Sequence, residues 1–287
     1  MQLENVVNHL SQIIENQVNA ETRNWLEDKI KVITDSQSTK DLYLTYSLIS
    51  TKIQSKGPVA VPSTTSGVFV YLQTQKATVQ QVTRIYLLVR VLKEDNEFFT
   101  PKVSNIIQVA DTAELETFLK FLILLPNPEN YKTVAVEALR TNIAVIFNAI
   151  AYNNPYPSLF FDDQQWNQMY LKTAFMEGDL SAIVDIDKKA NKDLARIISD
   201  YAHERWSASR DIDPYFWRPV YKFLDSTLLA DMKRLLNSDN SEENKAAALC
   251  CFNSDTPEAK KLLEDHQELI TQIENQKISW KKLKEKA

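Results

Sequence analysis

The stretch Asp200-Tyr-Ala-His-Glu-Arg-Trp206 holds the side chains that come closest to a reactive set. A histidine next to a carboxylate suggests a general base with its orienting partner. Neighbours on a helix point about 100° apart, however, so His203 and Glu204 do not face each other. His203 is expected on the outer side, against Asp200 or Arg196. On a helix from Asn191 to Ser207, Leu194, Ile197, Ile198, Tyr201 and Ala202 share one side, and Arg205 falls near its middle. A guanidinium aimed into a core must find a partner, because an unpaired buried charge is very costly. Arg205 is therefore expected to be buried against Glu137, or against the amides of Asn142 and Asn167. Asp185, Asp187 and Asp193 could suggest a D-x-D site for a metal or diphosphate. Lys188 and Lys189 follow at once, and capping or turn roles fit better. His9, His203 and His266 are far apart, and Cys250 and Cys251 are adjacent. Neither pattern has metal-ligand spacing or suits a disulfide, and no metal or cofactor is expected.

A second set is aromatic. Trp166, Trp206 and Trp217 with Tyr156, Tyr170 and Tyr201 would line an apolar pocket or simply pack a core. Asn142, Asn148, Asn167 and Arg205 fall on apolar helix faces, where amides need partners that a ligand can supply. The expected ligand-binding residues are thus Asn142, Tyr156, Trp166, Asn167, Lys172, Tyr201 and Arg205. They form an apolar-walled pocket suited to an aromatic or prenylated molecule with one polar end. No catalytic residue is assigned.

The elements that must position these residues are helices. Apolar residues recur at helical spacing from Met1 to Asn16, Ala20 to Thr34 and Ser38 to Ser55. The segment 56–67, KGPVAVPSTTSG, is the clearest break. It separates an N-terminal helical segment, 1–56, from an array over 68–287, most simply within one continuous domain. Helices are expected at 68–75, 77–93, 97–109, 111–125 and 129–151, the last long and central, then at 164–176. Asp213-Pro214, Asp225-Ser226, Ser241 and Thr256-Pro257 open four more, at 214–223, 226–237, 241–252 and from 257 towards Leu283. The fold expected is all-α: an irregular array of antiparallel helix pairs, HEAT-like towards the C-terminus.

Composition narrows the class. The 287 residues are 44% hydrophobic and 25% charged, ordinary for a globular chain. Only Gly57, Gly67 and Gly178 occur, which argues against glycine-dependent phosphate loops and β-rich folds. The net charge of −5 argues against nucleic acid as a partner. No run reaches the roughly 20 apolar residues of a spanning helix. With no secretory signal pattern, a cytoplasmic protein is expected. Lys281, Lys282, Lys284 and Lys286 suit a helix C-terminus and leave peripheral membrane contact open.

ALRTNIAVIFNAIAYNNPYP, FDDQQWNQMYLKTAF, ANKDLARIISDYAHERWSASR and PYFWRPVYKFLD resemble the EboA family. The most specific pieces are NPYP at 154–157, WNQM at 166–169 and DYAHERW at 200–206. The resemblance is strong over 111–255 and looser over the first hundred residues. Where the family carries GLDRRAN, this chain has Asp185-Ile-Asp-Lys-Lys-Ala-Asn191, replacing a glycine in that turn. The resemblance implies a component of the bacterial Ebo system, linked to moving a secondary-metabolite precursor from cytoplasm to periplasm. Partners would be a small-molecule metabolite or other Ebo-system proteins. The expected role is non-enzymatic, a helical scaffold that binds a small molecule or a protein. An enzyme of the same pathway, acting on an aromatic or prenylated precursor, is the alternative. The absence of a nucleophile–base pair in the sequence favours the former.

Overall fold

The computed structural model describes residues 3–54, 57–62 and 66–284. The chain is 74% helical. Among the described residues there is no strand, only an isolated antiparallel bridge between Pro58 and Thr78. The expected all-α class is what forms. Of the break at 56–67, Lys56 and residues 63–65 lie outside the described residues, as does Lys286 of the basic C-terminus.

The chain folds as two compact units, Met1–Phe160 and Phe161–Ala287. Unit 1 opens with α1 (Val6–Gln17), α2 (Ala20–Ser36), α3 (Thr39–Lys52) and α4 (Gly67–Thr74). It continues through α5 (Val79–Glu94), α6 (Asn96–Ser104), α7 (Ile106–Val109) and α8 (Thr112–Lys120). It closes with α9 (Lys132–Ala138), α10 (Ala144–Ala151) and α11 (Tyr156–Phe160). Its axis is α5, which packs on α1, α2, α3, α6 and α8. Val82, Ile85, Leu87, Leu88, Val91 and Leu92 are buried on several sides of α5, each worth roughly 1.5–3 kcal/mol relative to exposure. A full capping box of Thr78 and Gln81 starts it.

The long central helix expected over 129–151 does not form. A 3-10 turn (Pro128–Tyr131) leads into α9, which stops at Ala138, and α10 begins at Ala144. Thr141 Oγ1 accepts the Ile143 N–H at 3.1 Å. A short polar side chain there offers the backbone an alternative to the helical bond. Ile143 and Val145 consequently point to solvent, 52% and 40% exposed.

Unit 2 comprises α12 (Asp163–Phe175), α13 (Ile186–Lys189) and α14 (Lys192–Ser207). A ten-residue 3-10 helix, Pro214–Phe223, follows. It was expected as α-helix; Pro219 inside it lacks the N–H that an α-helical bond requires. Then come α15 (Ser226–Leu236), α16 (Ser241–Asn253), α17 (Pro257–Leu262), α18 (Gln267–Glu274) and α19 (Trp280–Lys284). The single helix expected from 257 to 283 is thus three. The core of unit 2 is where α16 and α14 pack on the 3-10 helix and α15 packs on α16. Cys250 and Cys251 are buried there as free thiols. Burial pushes both thiols up, Cys251 to about 12.

Candidate functional site

The seven residues singled out by sequence fall in both units. Asn142 and Tyr156 belong to unit 1, the other five to unit 2. Asn142 is exposed in the α9–α10 break. Tyr156 is fully buried, its hydroxyl donating to the Pro128 carbonyl at 2.7 Å.

In unit 2, Asp162 caps α12 in a reciprocal box with Gln165. This fixes the helix so that Trp166, Asn167, Met169 and Tyr170 turn inward. Trp166 stacks on Tyr170 at 5.4 Å between centroids, and Tyr170 on Phe216 at 5.7 Å. The Tyr170 hydroxyl donates to the Phe216 carbonyl at 3.2 Å. These rings are core, and Trp166 has no exposed surface. Asn167 has its partner within the protein: its amide donates to Asn191 Oδ1 at 3.1 Å and accepts from Asn191 Nδ2 at 2.8 Å. Asn191 in turn caps α14 by accepting the Leu194 N–H. Asn167 therefore ties α12 to the start of α14. Lys172 is half-buried, and that burial holds its ammonium below the usual value.

Arg205 is not buried. Its Nε and Nη2 donate to the Asp211 carbonyl at 3.0 and 2.6 Å, across the chain reversal that follows α14. Glu137 instead accepts from Gln108 at 3.4 Å. Among the described residues a guanidinium does face inward at Arg84, 3% exposed on α5. It lies 3.7 Å from Glu114, donates to the Tyr46 carbonyl and sits over the Tyr46 ring. Arg84 and Arg90 both interrupt the apolar stretch from Val82 to Leu92, and it is Arg84 that packing turns inward.

The polar cluster around His203 also differs from expectation. Arg196 and Asp200 pair with each other at 2.7 Å. His203 Nε2 lies 2.6 Å from Oδ1 of Asp231, a carboxylate on α15 only 3% exposed. Ser199 Oγ donates to the other oxygen, also at 2.6 Å. Serine, aspartate and histidine meet here in an order that does not activate a nucleophile. The carboxylate bridges the other two, whereas activation requires the imidazole to bridge serine and carboxylate. Beside them Trp206 stacks on Trp217 and carries Arg234 at 4.1 Å over its ring. Asp231 shares an apolar helix face with Leu228, Met232 and Leu235, and Ser199 and His203 are one turn apart. That spacing is the signal that could have revealed the cluster.

Asp187 is held by Arg218 through two bonds of 2.9 and 2.5 Å, and Lys222 donates to its carbonyl. Burial lowers the Arg218 proton affinity, but bonds to Asp187 and Tyr215 outweigh it and leave the guanidinium above its usual value. Asp185 occupies a left-handed turn at φ 62°. Among the described residues no group of three or more His, Cys, Asp or Glu is placed to hold a metal ion.

What the structure does bring together is Tyr201 and Arg205. Both line a cleft of about 530 Å³ in unit 2. Leu180, Ile212 and Phe216 lie behind its surface, almost fully buried, with the Tyr201 ring edge-on to Phe216 at 5.3 Å. Among the described residues the Tyr201 hydroxyl and Arg205 Nη1 make no hydrogen bond, so both donors remain available. Glu177, Asp179, Asp211 and Asp213 add carboxylates. Lys284 reaches in from α19, 2.7 Å from Asp213 and 4.0 Å from Asp179.

Fold and cleft together describe an all-α protein with a small-molecule-sized recess lined by polar and apolar residues, and no assembled catalytic relay among its described residues. A family model described as metabolite traffic protein EboA matches residues 6–221, and the chain belongs to the EboA family. The match takes in the first hundred residues, where the sequence resemblance is loose, and stops at Tyr221, short of the 255 expected. No curated protein and no solved structure matches the chain. No helix among the described residues is long and apolar enough to cross a membrane.

Proposed function

We propose that this chain is a non-enzymatic metabolite-traffic protein that holds a small molecule in the unit 2 cleft. The observation that carries this reading is the pairing of two unengaged donors, Tyr201 Oη and Arg205 Nη1, in one recess of unit 2. Its volume of about 530 Å³ is that of ordinary ligand sites. The ligand is an aromatic molecule whose one polar end accepts hydrogen bonds from these two donors. In the cell the protein acts in the cytoplasm, on a secondary-metabolite precursor bound for the periplasm. HEAT-like stacking of α15 to α18 belongs to the same reading, as a scaffold behind the cleft. A protein partner is the second reading, favoured by Phe175, which stands 73% exposed next to Ala174 of the cleft lining.

A thermal-shift screen of aromatic acids and phenols tests the first reading. A ligand present at a hundredfold excess over Kd stabilises the fold by about 2.7 kcal/mol. Compounds that stabilise the parent are expected to lose that effect on Tyr201→Phe and Arg205→Gln. Equal stabilisation of all three proteins would place the ligand elsewhere.

A further inference from the structure

Two proline-bearing turns stand out in the sequence, 124–131 and the family-specific NPYP at 154–157, and the unit 2 cleft uses neither. In unit 1 they are tied together. Tyr156 donates its hydroxyl to the Pro128 carbonyl at 2.7 Å. Asn154, 2% exposed, donates to the Ala149 carbonyl at 3.0 Å and accepts the Tyr156 N–H at 3.0 Å. With both turns fixed, Pro126, Pro128 and Pro155 face one cleft of about 500 Å³, whose other walls include Leu3, Val89 and Ile123. Every side chain in its lining is apolar except Asn5 and Lys93. Lys93 is the lone charge there and makes no ion pair or hydrogen bond with any described residue. An apolar recess of ligand size with one uncompensated cation at its edge is complementary to a molecule with the opposite arrangement.

We propose that this unit 1 cleft is a second binding site, for a monomeric anionic amphiphile. Its carboxylate faces Lys93 and its apolar chain lies along the proline-rimmed wall. The chain provides the affinity through the hydrophobic effect. The exposed lysine provides selectivity for charge sign, weakened by salt. Lys93 also stands in the last turn of α5, where a cation is favoured with or without ligand. Loss of stability on substitution would therefore say nothing about binding, and the test must read selectivity.

The full chain is titrated with decanoate, decanol and decylammonium below their micelle concentrations, following methyl resonances of Val6, Val89 and Ile123 by NMR. Decanoate is expected to bind most tightly and decylammonium least. Lys93→Glu is expected to invert that order, each ion changing by about fivefold to tenfold, the scale of one exposed charge contact. Leu159→Trp, at an exposed position in the cleft lining, should weaken all three. An unchanged order in Lys93→Glu would overturn the proposal. So would weakening of decanoate by Tyr201→Phe, which would move the site to unit 2. Binding to anionic vesicles without binding to monomeric decanoate would overturn it as well, in favour of a lipid surface.

Discussion

Asn167 and Asn191 exchange two amide hydrogen bonds, at 3.1 and 2.8 Å, while the same Asn191 carbonyl oxygen caps α14. One residue thus joins a tertiary contact to a helix start. Asn167→Ala removes one half of a partly buried pair and leaves the other amide under-satisfied, at a cost of about 1–3 kcal/mol. Urea unfolding of Asn167→Ala, Asn191→Ala and the double variant would show it. The double variant should be less destabilised than the sum of the singles, since the residues share one network.

Arg84 and Arg205 are predicted to behave oppositely. Arg84→Ala removes the cation beside Glu114, itself 5% exposed, leaving that carboxylate only the Asp111 N–H among the described residues, and should cost about 3–5 kcal/mol. Arg205→Ala loses contacts to a single exposed carbonyl and should cost under about 1 kcal/mol. Denaturation midpoints of the two variants, measured side by side, settle the order. A larger loss for Arg205 would contradict the geometry.

At Asp185 the prediction concerns backbone shape. The residue holds φ 62°, a conformation that costs non-glycine residues roughly 1 kcal/mol, less for aspartate. Asp185→Ala should destabilise by about 1 kcal/mol, whereas Asp185→Gly should hold stability or raise it by a few tenths. Calorimetric Tm values for the pair give the sign directly.

Alkali should weaken the fold before it ionises the core. Burial raises Cys251 from the usual 9.0 to about 12 and Tyr131 from 10.0 to about 12, and raises Cys250, Tyr46 and Tyr170 as well. Above pH 9 the unfolded chain loses these protons while the folded chain keeps them. Unfolding is then favoured increasingly as pH rises towards 12. Stability should be constant from about pH 7 to 8.5 and fall thereafter, and Cys250→Ala/Cys251→Ala should flatten the start of that fall. Urea midpoints across pH 7–11 test this; a midpoint that rises above pH 9 would have the wrong sign.

The helical class and most helix starts were legible because caps and apolar periodicity are local. Ser38, Thr78, Asp111, Asp162, Asn191 and Asp225 all accept backbone N–H groups at helix starts. The site was less legible because burial is a tertiary property. Tyr201 and Arg205 do share a cleft, but by helical position Arg205 should point into the core, and it is the chain reversal to Asp211 that draws it outward. Asn167 has a partner 24 residues away that no local pattern indicates. Asp231, by contrast, was readable on the apolar face of its own helix.

Lys284 enters the unit 2 cleft from a helix that lies beyond Tyr221, where the family match ends. The lining of one recess thus comes from both inside and outside the matched span. A relative that kept the matched span but carried a different tail would retain Phe216, Tyr201 and Arg205 and lose the ammonium set against Asp179 and Asp213. Its cleft would turn more acidic with Tyr201 and Arg205 unchanged. Swapping tails between such relatives would then change which charged ligands are accepted while leaving the frame that holds them intact.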